Sequence, residues 1–183
     1  MKTLFRTAAE LQTFLEKEKY RFCFIGGIAL QRWGEPRVTV DVDVTLLTGF
    51  GGEKPFIQAL LNAYQSRIPD AAAFALENRV LLLKSSGGIA LDIALASLPF
   101  EEEAVSRATR FEFLPGLSLL TCSAEDLLIM KAFANRPRDW ADIKSVIDRR
   151  ASDLDKPYIL ARLAPLAEIK SAPEIIVTLK ALF

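Results

Sequence analysis

Three aspartates stand where a carboxylate is hardest to keep. Val40-Asp41-Val42-Asp43-Val44 alternates with period two, so in a strand Asp41 and Asp43 project from one face and the valines from the other. Asp92 lies in Ile89-Ala90-Leu91-Asp92-Ile93-Ala94-Leu95, an otherwise apolar run. A lone carboxylate there costs several kcal/mol unless it is paired or bound to a metal. If the two strands are neighbours, three carboxylates converge, and a divalent cation is the natural counter-charge. Each piece alone has a plainer explanation. A single Asp-x-Asp suits a solvated strand face, and Asp92 suits an edge strand facing water. Together, behind a glycine turn, they point to a site.

That turn is Phe24-Ile25-Gly26-Gly27-Ile28-Ala29-Leu30, read as strand, double glycine, helix. Glycine lets the backbone approach a ligand closely, and a helix N-terminus presents N–H groups to an anion such as phosphate. Gly-Gly turns are common, so the weight comes from the carboxylates that follow. A metal site beside an anion cradle is the minimum kit for phosphoryl or nucleotidyl transfer, where catalysis is mostly positioning and charge neutralisation.

Composition excludes the main rivals. The chain of 183 residues has no histidine, so neither Ser-His-Asp machinery nor an imidazole-held metal can be built. Any metal must be held by oxygen, which favours Mg²⁺ or Mn²⁺. With 23 Lys+Arg against 23 Asp+Glu the net charge is zero, which argues against holding nucleic acid by bulk charge alone. Cys23 and Cys122 are far apart in apolar surroundings, as expected of a reduced, cytoplasmic chain. No run approaches the roughly 18–20 apolar residues of a membrane span, so no membrane partner is expected.

Around these residues the pattern predicts a helix over 7–17, a strand over 21–25, a helix over 28–33 and a strand over 38–47. Pro55 to Ile68 reads as a helix with proline in its first turn. Val80–Lys84 and Ile89–Ala96 read as a hairpin across Ser85-Ser86-Gly87-Gly88. A charged helix over 100–108 and short strands over 111–114 and 117–120 follow. From Ser123 on the pattern is helical: Ser123 and Asp126 form a capping-box variant, and Pro137, Pro157 and Pro173 stand near three further helix starts. The predicted plan is an α/β (α+β) domain over 1–120, with a mixed sheet and flanking helices, then a helical domain over 121–183 that closes a cleft.

The arrangement resembles the nucleotidyltransferase superfamily typified by DNA polymerase beta. The resemblance rests on Gly26-Gly27, then Arg37-Val38-Thr39-Val40-Asp41-Val42-Asp43, then Asp92. It is closest to the bacterial abortive-infection nucleotidyltransferase-like toxins of type IV toxin–antitoxin systems. Ser123-Ala124-Glu125-Asp126-Leu127-Leu128-Ile129-Met130-Lys131 and Arg136-Pro137-Arg138-Asp139-Trp140-Ala141-Asp142-Ile143 are similar to that family's lysine motif and downstream aspartate motif.

The resemblance implies a role for each residue. Gly26 and Gly27 would hold a triphosphate. Asp41, Asp43 and Asp92 would bind Mg²⁺ or Mn²⁺, with Asp92 activating the attacking hydroxyl. Arg37 and Thr39 would brace the Asp-x-Asp strand or touch phosphate. Lys131 would approach the nucleotide, and Asp142 would complete the catalytic set. Gly26-Gly27 departs from the superfamily's frequent Gly-Ser and lacks its hydroxyl. The implied reaction moves a nucleotide from an NTP to a hydroxyl on RNA, a protein or a small molecule, with a cognate antitoxin as partner. The alternative is a nucleotide- or protein-binding module without catalysis. A glycosyltransferase using Asp-x-Asp would need a larger α/β domain. On the residues alone, Lys131 either snorkels out of its apolar helix or reaches into the cleft. Asp139 and Asp142, three apart on one face, could pair with Arg136 and Arg138.

Overall fold

The computed structural model describes residues 1–150 and 152–183, which fall into two compact units. The first comprises Met1–Ile28 and Val38–Cys122, and the second Ala29–Arg37 and Ser123–Phe183. The sequence expectation divided the chain once, near 120. By contact, Ala29–Arg37 also cluster with the C-terminal helices.

The first unit opens with α1 (Lys2–Lys17), whose Leu4, Phe5, Ala8, Leu11 and Leu15 follow the helical period and are buried. Then come β1 (Phe22–Phe24), the start of α2 (Gly26–Trp33) and β2 (Asp41–Leu47). After α3 (Glu53–Ala63) come β3 (Gln65–Ser66), α4 (Ala71–Asn78), β4 (Val80–Lys84) and β5 (Ala90–Ala96). α5 (Pro99–Ser106), β6 (Thr109–Leu114) and β7 (Leu117–Thr121) complete it. The strands form one seven-stranded mixed sheet in the order β3-β4-β5-β2-β1-β7-β6. β2 runs parallel to β5 and antiparallel to β1, β4 and β5 are the expected antiparallel hairpin, and β1 is parallel to β7.

Period-two burial builds the core. Val42, Val44 and Leu46 of β2, Leu91, Ile93 and Leu95 of β5, and Leu81 and Leu83 of β4 are nearly inaccessible. They join one cluster with Leu11 and Leu15 of α1 and Ile57 and Leu60 of α3. The alternate residues of β2 and β5, among them Asp41, Asp43 and Asp92, lie on the other face and are half-buried.

Several sequence expectations need correction. Strand β2 begins at Asp41, and Val38 and Val40 are each 73% exposed, so inward-facing valines start only at Val42. Gly26-Gly27 is no separate turn but the first residues of α2. The helix expected over 55–68 ends at Ala63, where Tyr64 turns extended, and Gln65 and Ser66 pair with Lys84 and Leu83 as β3. Helical periodicity continues through this stretch, but pairing with β4 overrides it. The sequence expectations assign no element to α4.

The second unit contains α6 (Ala124–Ala134), α7 (Pro137–Arg150), α8 (Lys156–Ile169) and α9 (Glu174–Lys180). α6 packs on α7, α8 and α9. Ser123 caps α6 as expected: its Oγ accepts from Asp126 N–H at 3.1 Å and donates to Asp126 Oδ2 at 2.8 Å. Leu127, Leu128, Ile129, Ile143, Val146, Ile159, Leu163, Ile175 and Leu179 are buried in this unit. Gly34 lies against α7, where a side chain would run into Leu30, Ser145 and Val146.

Candidate active site

In the first unit, the parallel register of β2 and β5 sets Asp43 directly beside Asp92, with Asp41 opposite Ala90 on the same face. This is the juxtaposition that two neighbouring strands require once both carboxylates face away from the core. Asp41 Oδ1 accepts from Thr39 Oγ1 at 2.7 Å, so Thr39, itself buried, orients the first carboxylate.

The double glycine has a local reason. Gly26 is in the left-handed region, at φ +55°, and a Cβ there would overlap Asp43 Oδ2. A Cβ on Gly27 would overlap Thr39 Oγ1. The Gly27 N–H points at Asp43 Oδ2 from 3.4 Å. The glycines are thus what allows the start of α2 to press against the Asp-x-Asp segment.

Asp92 has a partner that the sequence did not suggest. Arg67, just past β3, donates from Nη2 to Asp92 Oδ1. Burial pushes the Asp92 carboxyl above the usual carboxylate range; Arg67 offsets part of this, and the charge of Asp41 adds to it. Nothing in the local sequence marks Arg67, because it lies in the stretch that reads as helix.

The donor set on this face is carboxylate oxygen on adjacent strands, with no histidine anywhere in the chain. That chemistry fits a hard divalent ion. Among the described residues, no group of three or more His, Cys, Asp or Glu is drawn together into a finished metal cage. The best-fitting ligands are Asp41 and Asp43, while Asp92 is turned to Arg67.

The second unit holds the other expected residues in a different kind of cluster. Lys131 is only 6% exposed, so it neither snorkels nor stands open. Its Nζ lies 3.1 Å from Asp139 Oδ1 and 2.6 Å from Asp142 Oδ2. Arg37 grips Asp142 with a two-pronged fork, Nε to Oδ1 and Nη2 to Oδ2, each at 2.7 Å. Arg136 Nε donates to Asp139 Oδ2 at 2.6 Å, the pairing that the sequence offered for Arg136. Burial works against the charge on Asp139, but hydrogen bonds from Arg136 and Lys131 outweigh it and hold the carboxyl below its usual range. Burial likewise opposes the charge on Asp142, and bonds from Arg37 and Lys131 prevail. Asp139 was visible in the sequence only as a surface partner, since its burial depends on Lys131 one helix earlier. Among the described residues, no helix is long and apolar enough to cross a membrane.

Comparison with known proteins follows this geometry. The chain resembles an antigenic nucleotidyltransferase-like protein from Paracoccidioides brasiliensis at 18% identity and TM-score 0.52, covering 97% of this chain and 92% of that one. The likeness shows a nucleotidyltransferase-like fold of mixed α/β type. Two structures of ANT(2'')-Ia also align. A solution structure of this antibiotic-resistance factor aligns at 16% identity and TM-score 0.49, over 97% of this chain and 88% of that one. A crystal structure in complex with adenylyl-2''-tobramycin aligns at 14% and 0.49, over 98% and 97%. No curated protein matches the chain in sequence. Residues 11–174 match the family model described as nucleotidyl transferase AbiEii toxin, type IV TA system. That match takes in the glycine pair, all three strand aspartates and the buried lysine cluster, and the chain belongs to this nucleotidyltransferase family.

Proposed function

We propose that the protein transfers a nucleotide from an NTP to an acceptor hydroxyl, using Asp41, Asp43 and Asp92 as its catalytic face. The observation that carries this reading is the placement of Asp43 beside Asp92, with Asp41 on the same sheet face and the start of α2 pressed against Asp43. In the reaction, the acceptor oxygen bonds to the α-phosphorus, the α–β anhydride bond breaks, and pyrophosphate leaves. The hydroxyl proton passes to Asp92, whose raised affinity for protons suits a base. Backbone N–H groups of Gly26 and Gly27 would meet phosphate oxygens at the start of α2, in the manner of helix N-termini, the Gly27 N–H leaving Asp43 Oδ2 to do so. Asp41 and Asp43, with Asp41 oriented by Thr39, would hold Mg²⁺ or Mn²⁺, which would supply charge neutralisation for the triphosphate.

Lys131 and Asp142 act through Arg37. Lys131 is committed to two carboxylates, and Asp142 fixes the Arg37 fork. Arg37 precedes Thr39 by two residues, so anchoring it steadies the segment that leads into Asp41. The match to a toxin family of type IV TA systems supports a cognate antitoxin as partner, and two cysteines far apart in the chain suit a cytoplasmic setting.

The test is incubation with each labelled NTP, Mg²⁺ and candidate acceptors of RNA, protein and small-molecule type. Label transfer is expected with the wild type and not with Asp41→Ala. Transfer that persists in Asp41→Ala overturns the reading. Calorimetric NTP binding with no transfer to any acceptor would favour a binding module instead.

A further inference from the structure

β6 is an end strand of the sheet, and its residues Thr109, Arg110, Phe111 and Glu112 are exposed. Which of its backbone groups face outward follows from the neighbouring strand. The Leu120 N–H of β7 donates to Gln12 Oε1 at 2.8 Å, and the Ser118 carbonyl accepts from Gln12 Nε2 at 2.9 Å. Just past β7, the Cys122 N–H donates to the Phe24 carbonyl of β1 at 3.0 Å. Ser118 and Leu120 therefore turn their backbone groups away from β6. Antiparallel pairs alternate between bonded and non-bonded. Arg110 opposite Leu120 and Glu112 opposite Ser118 are thus the pairs without ladder bonds, while Thr109 and Phe111 bond to β7. It is Arg110 and Glu112 whose N–H and C=O point out of the sheet edge. The register shift lies between Glu112 and Leu114, so the run from Arg110 to Glu112 is regular.

We propose that this edge pairs with the same edge of a second copy of the chain, strand to strand and antiparallel, about a twofold axis at Phe111. The edge is self-complementary in that register. A pairing centred on Arg110 sets arginine opposite arginine, and one centred on Glu112 sets glutamate opposite glutamate; like charges directly opposite destabilise a sheet. The pairing centred on Phe111 sets Arg110 opposite Glu112 of the second copy at both ends. These are the residues whose outward groups can exchange ladder bonds. Phe111, 40% exposed, then stands against its own copy in the close, non-hydrogen-bonded position, where aromatic pairs stabilise a sheet. Both charged side chains have a partner within the chain and keep capacity for another. Arg110 bonds Glu16 through Nη2, and Glu112 takes the Gly116 N–H on Oε1 at 2.6 Å; a guanidinium has further N–H donors and a carboxylate a second oxygen. Charge, proline or a bulge usually keeps edge strands apart. Here opposite charges are placed symmetrically about an exposed ring, so the charge attracts a second copy. The contact is isologous. As a single strand pair it is smaller than a standard interface, which makes the dimer a weak one.

Sedimentation of the full chain at concentrations up to about 1 mM tests this. The wild type is expected to move from one chain toward a pair as concentration rises. Arg110→Glu and Glu112→Arg are each expected to stay single, since each sets like charges opposite. Mixed in equal amounts they are expected to pair, because one chain then carries acids at both positions and the other arginines at both. The double variant Arg110→Glu/Glu112→Arg reverses both signs and is expected to dimerise as the wild type does. Phe111→Cys reads the axis directly and keeps the test open should a charge variant fail to fold. Facing residues of a non-hydrogen-bonded pair are about 4.5 Å apart at Cα, within disulfide reach, and Cys23 and Cys122 are buried. Mild oxidation is expected to link Phe111→Cys into dimers and to leave the wild type unlinked. A wild type that stays single throughout the concentration range overturns the proposal and leaves the edge to a partner of another kind. Dimers that persist in either charge variant alone overturn it, as do folded charge variants that do not pair on mixing and Phe111→Cys chains that do not link.

Discussion

Lys131, Asp139 and Asp142 are buried, while Asp41, Asp43 and Asp92 are half-buried, and the two groups set their carboxylates beside different neighbours. In the helical unit three cations, Arg37, Lys131 and Arg136, meet two carboxylates through short, directed hydrogen bonds. On the sheet face Asp43 lies beside Asp92, and Asp92 meets the Arg67 guanidinium. Both clusters use the same residue types. They differ in what stands beside each carboxylate: two cations at Asp139 and at Asp142, another carboxylate at Asp43 and Asp92. In the buried network each carboxylate is held by two cations, so removing any one member is costly. On the half-exposed face carboxylates on adjacent strands stand side by side, Asp43 next to Asp92. Sequence reasoning pools Lys131 and Asp142 with the strand aspartates; the geometry sets the two groups in separate clusters.

The largest expected effect separates the clusters by activity. Asp43→Ala should lower nucleotide transfer by about a thousandfold or more, from the loss of several kcal/mol of charge stabilisation. Its urea midpoint should hardly move. Asp142→Ala should do the reverse in stability, losing about 3–5 kcal/mol, because Lys131 and Arg37 would be left without their shared buried partner. Equilibrium urea unfolding of both variants checks the pair. Equal destabilisation by the two would erase the distinction.

Gly26→Ala comes next. The left-handed backbone costs about 1–2 kcal/mol for a residue with a Cβ, and the added methyl must displace the Asp43 carboxylate. Thermal unfolding should fall modestly while transfer falls steeply, an imbalance that a purely structural glycine would not produce.

The smallest effects lie in the pH dependence, and the two clusters have opposite signs. The Asp139 and Asp142 carboxyls are held below their usual range. Their contribution is therefore full above the unfolded value of about 3.9 and is lost as pH falls through the lower folded values. Asp92 is held above its usual range. Its ionisation therefore subtracts stability as pH rises from about 3.9 through the higher folded value. Asp92→Asn should be slightly more stable than wild type at neutral pH, by less than about 1 kcal/mol given its exposure. The advantage should shrink toward pH 4, as read from melting curves across that range.

What the sequence disclosed follows the same division. The strand aspartates were legible because a period of two decides which face a residue takes, and because carboxylates in apolar strands need a reason. The hairpin of β4 and β5 and the Ser123 cap were legible from local signals as well. Arg67 was not, since Gln65 and Ser66 become a strand only through β4, a partner about twenty residues on, and the run before them is helical by pattern. The state of Lys131 was hidden for a related reason. Its counter-charges come from Asp139 and Asp142, and the Arg37 that completes the set lies almost a hundred residues earlier. Local patterns report faces and caps. They do not report which distant charges will close a buried network.

The grouping of Ala29–Arg37 with the C-terminal helices also bears on heredity. A gene cut after Cys122 would yield an N-terminal product whose Arg37 has lost Asp142 and whose Gly34 has lost α7, and a C-terminal product missing the segment its helices were shaped around. Neither piece is a cassette that recombination could move intact between relatives, so the two units are bound to be inherited, and to diverge, together.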